Sequence, residues 1–121
     1  MINVKDQVYA ALLNVTEQVS DVYPTTWAAF PSIQYTEEQN NVYEWTDNTE
    51  RLSYLRYRID IWDQGSTSAT ALMVDAALVN IGLRRTECQD VSDPSGLRHK
   101  QMRYEAIIDV ETQSSYWTGN Q

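Results

Sequence analysis

The residues able to do chemistry in this chain are few, and their spacing argues against a catalytic centre. Cys88 is the only cysteine and His99 the only histidine among 121 residues. A Cys–His pair or a Ser–His–Asp arrangement would rest wholly on His99, which sits beside Lys100 with no sequence-near group to orient it. One cysteine closes no disulfide within the chain and builds no thiolate metal site. It reads as a small, half-buried apolar residue. Glu37 and Glu38 are adjacent, but paired acids in a polar run are normally solvated rather than matched as acid and base. Glu87, Asp90 and Asp93 offer oxygen ligands around a turn, yet their spacing fits no calcium loop. The four glycines are scattered singly, so none forms a phosphate cradle. No catalytic residue, metal or cofactor is expected.

Composition narrows the class further. Nine basic residues stand against seventeen acidic ones, for a net charge of −8. A free-standing nucleic-acid binder needs clustered Lys and Arg to displace counterions from phosphates, and this balance argues against one. An acidic surface gives solubility, or keeps DNA from sticking. The amino terminus lacks the long apolar core of a signal peptide. No apolar run approaches the ~20 residues needed to span a bilayer, so a cytosolic origin and no membrane partner are expected. Aromatics are skewed toward amphipathic rings, with eight Tyr and four Trp but one Phe. Such rings suit positions packed on one side and wet on the other, which tilts the reading toward an interface protein.

The elements that must carry these residues are legible from period and punctuation. Val4, Val8, Ala11, Leu12 and Val15 fall at helical spacing behind a cap at Asn3, predicting a helix over 4–15. A short β-type run over 18–23 ends at Pro24, and a strand opens at Pro31. The polar stretch Glu37 to Glu50 reads as a long loop or hairpin tip, too long for a tight hairpin. Leu55, Tyr57, Ile59 and Ile61 then alternate with charged residues, the period of a strand with one buried face. A second helix over about 66–81 places Ala69, Leu72, Met73, Ala76 and Val79 on one stripe and ends at Gly82, a left-handed cap. A strand-like segment over 83–91, a turn at Asp93–Gly96 and a long closing strand with Met102, Tyr104, Ala106 and Ile108 inward complete the chain. The order predicts one α+β domain over 1–111, an antiparallel sheet with two helices on one face. Residues 112–121 form a polar tail that carries Tyr116 and Trp117.

Two rows on the sheet's other face remain. One is Tyr54, Arg56, Arg58, Asp60 and Trp62; the other is Arg103, Glu105, Ile107, Asp109 and Glu111. They form either a solvated face with cross-strand ion pairs or a surface that meets a neighbour through Arg, Tyr and Trp anchors. Trp62 and Ile107 are costly to leave in water, and that favours the second reading.

Several of these pieces carry a resemblance. A helix with Val8-Tyr9-Ala10-Ala11-Leu12-Leu13 precedes Tyr23-Pro24. A Pro-x-Ile-x-Tyr strand follows at Pro31, Ile33 and Tyr35, then Arg58-Ile59-Asp60-Ile61-Trp62, an Ala/Leu-rich helix, and Arg103 to Asp109 as Arg-Tyr-Glu-Ala-Ile-Ile-Asp. Over about Val4 to Val110 this resembles the tail-completion, or tail-terminator, proteins of long-tailed bacteriophages, which join head to tail. The resemblance implies a non-enzymatic virion protein, a six-fold homo-oligomeric ring at the head-proximal end of the tail. It implies as partners the major tail tube protein and a head-completion or connector protein, with DNA passing through the lumen unbound. Interface residues would then be Tyr54, Arg56, Arg58, Trp62, Arg103, Ile107, Tyr43, Trp45, Tyr116 and Trp117. Glu37, Glu38, Glu44, Asp47 and Glu50 would be lumen-facing acids. The alternative class is a small soluble α+β binding or regulatory domain, monomeric or dimeric.

Overall fold

The computed structural model describes residues 1–24 and 29–112. Tyr116 and Trp117 of the expected tail lie outside the described residues. The elements follow in the anticipated order: α1 (Lys5–Leu13), β1 (Val19–Ser20), β2 (Ser32–Thr46), β3 (Thr49–Asp63), α2 (Ser68–Asn80), β4 (Arg84–Val91) and β5 (Arg98–Asp109). The strands make one five-stranded sheet in the order β1-β2-β3-β5-β4. β1 runs parallel to β2, and the other neighbouring pairs are antiparallel. The sheet is thus mostly, not wholly, antiparallel.

Both helices cover one face. Val8, Ala11 and Leu12 of α1 and Ala71, Val74 and Leu78 of α2 share a core with Leu55, Tyr57, Ile59 and Ile61 of β3 and Met102, Tyr104, Ala106 and Ile108 of β5. β3 is paired on both sides, so its period of two is the strongest signal in the chain. Tyr57 and Tyr104 lie opposite each other in the register, fully buried. Their hydroxyls leave the core by donating to Glu37 at 2.9 Å and to Asp75 at 2.7 Å. Burial, reinforced by these carboxylates, raises both phenols above their ordinary value.

α2 ends as its sequence foretells. Gly82 takes φ of 99°, its N–H bonds the Val79 carbonyl at 3.0 Å, and Leu83 N–H bonds the Leu78 carbonyl at 3.1 Å. This is a full Schellman motif, with Leu78 and Leu83 both buried as its apolar contact. The face that α2 buries differs from the expected one. Leu72, Met73 and Val79 are exposed, Ala76 is exposed too, and Thr70, Ala71, Val74 and Leu78 point inward. The helix is apolar on both of these stripes, so periodicity could not choose between them. Asp75, bonded to Tyr104 and 3.3 Å from Arg85, fixes the rotation together with the Leu78–Leu83 contact.

Of the two readings of 37–50, a long loop or a hairpin tip, the hairpin holds, but it is tight where a tight turn was not expected: β2 and β3 are continuous and closed by a two-residue turn at Asp47 and Asn48, both at positive φ (54° and 61°). Asp and Asn tolerate that conformation, and such turns match the twist of paired strands. Register shifts between Glu37 and Gln39 and between Val42 and Glu44 break the alternation, which is why the segment does not read as a strand. Asp109, the last residue of β5, pairs with Leu52, so the end of the hairpin, 42–53, forms an arm that overlaps only the last residues of β5 and whose pairs Trp45–Glu50 and Thr46–Thr49 extend past the third strand. At α1, Val4 rather than Asn3 is the cap residue, while Asn3 Oδ1 accepts from the N–H of Lys5, two positions on. Among the described residues, no helix is long and apolar enough to cross a membrane.

Candidate functional site on the polar face of the sheet

The face away from the helices is built by two facing rows. Trp62, Asp60, Arg58, Arg56 and Tyr54 of β3 stand opposite His99, Gln101, Arg103, Glu105 and Ile107 of β5. The β2 bulge supplies the missing charge. With Glu37 paired to Tyr57 and Gln39 to Arg56, Glu38 is the extra residue. Its carboxylate accepts Nε–H bonds from Arg56 and Arg103, each at 3.0 Å, and lies 3.5 Å from Nη1 of Arg58. Burial alone would push Glu38 up, but the hydrogen bonds from Arg103 and Arg56 outweigh it and hold the carboxyl below its ordinary value. The same bonds raise Arg56 and Arg103.

A second node lies toward the other end of β3. Asp60 is 3% exposed, and a buried carboxylate must be matched by donors. It receives Nε–H of Arg58 at 2.9 Å and the Gln101 amide at 3.1 Å, and sits 2.8 Å from His99 Nε2. The His99 ring stacks on Trp62 with centroids 4.5 Å apart, and Tyr23 meets the indole edge-on at 5.4 Å. Trp62 Nε1–H donates to Asp93 at 3.1 Å, tying the β4–β5 turn down to the sheet. Ser95 donates its hydroxyl and its N–H to the same carboxylate. The Ser95 bond, helped by Trp62, keeps Asp93 below its usual range against the opposing effect of burial. At the far end Tyr54 donates to Glu105 at 2.6 Å, and burial first, then that carboxylate, raises the phenol.

The structure therefore brings Tyr54, Arg56, Arg58, Trp62, Arg103 and Ile107 onto one face, as their alternation requires. It corrects the premise that Trp62 and Ile107 face water: they are 2% and 3% exposed within the single chain. The five acids do not form one group. Glu37 accepts from Tyr57, and Glu38 is enclosed by arginines. Glu50 holds the amino-terminal ammonium and the Ser53 hydroxyl. Glu44 lies on the arm 3.7 Å from Arg51, and Asp47 sits in its turn. Tyr43 and Trp45 are on the arm as well, 58% and 60% exposed, beside Val42. Among the described residues, no cluster of His, Cys, Asp and Glu is disposed to hold a metal ion. Sequence reasoning missed one surface, the outward apolar stripe of α2. The signal available was that both stripes of that helix are apolar, so one of them had to be left uncovered.

The chain thus has an α+β fold in which the charged side chains of the sheet's helix-free face are largely paired with one another. No family model and no curated protein matches the sequence. Among solved structures the fold is similar to a chain of the virion of a native gene transfer agent particle, with a TM-score of 0.53 and 18% identity. The match covers 88% of this chain and 91% of that one. At that identity the likeness is one of fold.

Proposed function

We propose that the chain is a structural virion protein of a phage-like particle, acting as a ring of copies at the head-proximal end of a tail tube. The observation that carries the reading is the fold likeness to a virion chain along about nine-tenths of both proteins. The polar face adds support, since its acids are occupied by donors rather than poised for proton transfer. In this role one rim of the ring matches the tail tube protein and the other does not. Tube subunits stop adding there, and the free rim receives the connector on the head side. DNA crosses the bore without binding, because a chain of net charge −8 repels phosphate. In this reading Glu44 and Asp47, on the arm, face that path. Removing the gene from the phage that carries it should give overlong tails and filled heads that lack them. Tails of normal length joined to heads would overturn the proposal. A solution mass fixed at one or two chains, with no incorporation into particles, would favour a small binding or regulatory domain instead.

A further inference from the structure

The described residues end at 112, beside a cleft. A cavity of about 540 Å³ lies at the base of the arm, between Asp47, Thr49 and Arg51 on one side and Asp109, Val110 and Glu111 on the other. It opens where β5 leaves the hairpin. Val110 N–H makes the last rung, to the Arg51 carbonyl at 2.9 Å. Asp109 Oδ1 then accepts from the N–H groups of Glu111 and Thr112, at 2.9 and 3.1 Å. That carboxylate turns the chain off the line of the strand. Thr49 is left with a strand partner on its β2 side only.

The residues that follow read Gln-Ser-Ser-Tyr-Trp-Thr-Gly-Asn-Gln over 113–121, with no charged side chain. Glu111 is itself a wall of the cleft, and Tyr116 is five residues further on. Five residues span at most about 17 Å, so the two aromatics are tethered within reach of the cavity. The volume lies in the range of about 300–1,000 Å³ typical of sites that take an organic ligand, which leaves room for both rings. The lining selects against an anionic occupant, because it includes Asp47, Glu50, Asp109 and Glu111. Carboxylates accept hydrogen bonds, and the segment brings hydroxyl, amide and indole N–H donors. Arg51 adds a guanidinium that meets Glu44 through its Nε edge at 3.7 Å, while the flat face of such a group is the part that stacks on a ring.

We infer that Tyr116 and Trp117 seat in this cleft of their own chain, so that 113–117 covers the base of the arm. The contact lies within one chain, so it holds for a single copy and for a ring alike.

The test uses the full chain with Cys88→Ser, so that no native thiol remains. Ser115→Cys is combined with Thr49→Cys on the cleft wall, and separately with Leu72→Cys on the exposed stripe of α2. Each pair is equilibrated in glutathione buffers, and mass spectrometry reads the intrachain disulfide as an effective thiol concentration. Seating predicts that adding Tyr116→Ser and Trp117→Ser lowers this value for the 49–115 pair at least about tenfold and leaves the 72–115 pair unchanged. A 49–115 value that survives both serines would mean a segment merely tethered nearby, and would overturn the inference. A higher value for 72–115 would put the rings on α2, and disulfides between chains would give the segment to a neighbouring copy; either result also overturns it. As a check that needs no cysteine, Tyr116→Ser with Trp117→Ser in the native chain should speed amide hydrogen exchange over 46–51 and leave 102–108 unchanged. Equal exchange over 46–51 in parent and variant counts against the contact.

Discussion

The two faces of the sheet hold together in opposite ways. The helix side is an apolar core that closes over Leu55, Tyr57, Ile59 and Ile61. The other side has almost no aliphatic cover and closes instead by pairing its charges. Glu38 stands among three arginines, Asp60 among Arg58, Gln101 and His99, and Trp62 between His99 and Tyr23. A face that satisfies itself so fully has little left to offer a partner. The unsatisfied surface of the described residues lies elsewhere, on the arm and on the outer stripe of α2. Residue types that look sticky in a sequence can be consumed within the fold, and a helix that looks like core can leave one apolar stripe exposed.

The comparison breaks most severely on the apolar side. Ile59→Ala should cost about 2–5 kcal/mol, because Ile59 is fully buried on the central strand and the cavity cannot collapse between two paired neighbours. A urea titration reads it directly. An unchanged midpoint would mean that β3 faces the other way. On the polar side, Glu38→Ala should cost about 1–3 kcal/mol, since it leaves Arg56, Arg58 and Arg103 partly buried around no acceptor. Paired with Arg103→Ala it should be clearly non-additive, as members of one network are. Additive losses would show the two side chains to be independent.

Acid sharpens the same contrast. In the folded chain Glu38 sits below its ordinary value of 4.5, so the unfolded chain takes up the proton more readily. Its contribution to stability is complete above pH 4.5 and is lost as pH falls through the lower, folded value. Asp93 acts in the same sense below its ordinary 3.8. The urea midpoint should therefore hold steady from neutral pH down to about 5 and then drop. Glu38→Gln should flatten the upper part of that drop, whereas Ile59→Ala should shift the whole curve and keep its shape. A Glu38→Gln curve parallel to the parent would refute the carboxylate's part.

How much of this was readable depended on how local each signal was. β3 and β5 were legible because both alternate without interruption, and Gly82 and the Asp93–Gly96 turn because their chemistry is confined to a few residues. The hairpin was not, because bulges at Glu38 and near Tyr43 shift the register and make a 15-residue strand look aperiodic. The rotation of α2 was hidden by having apolar residues on both sides. The Glu38 cluster joins residues 18 to 65 positions apart, and only the sheet register brings them together. His99, which has no sequence-near group to orient it, is nine-tenths buried between Trp62 and two aspartates for the same reason.

The smallest effect on stability belongs to the arm, and there the contrast is between folding and function. Glu44 and Arg51 are 3.7 Å apart with both side chains about half exposed, so their pairing is screened by water and salt. Glu44→Lys should change the unfolding free energy by at most about 0.5 kcal/mol. Asp47 lies at the hairpin tip with positive φ, and Asp47→Gly keeps that conformation available without the charge. The double variant should therefore melt close to the parent. If the arm's acids line the DNA path, the charge change should make the bore attract phosphate, and DNA release from assembled particles should slow most at low ionic strength. Particles that assemble normally and release DNA at the parental rate in low salt would take Glu44 and Asp47 off that path.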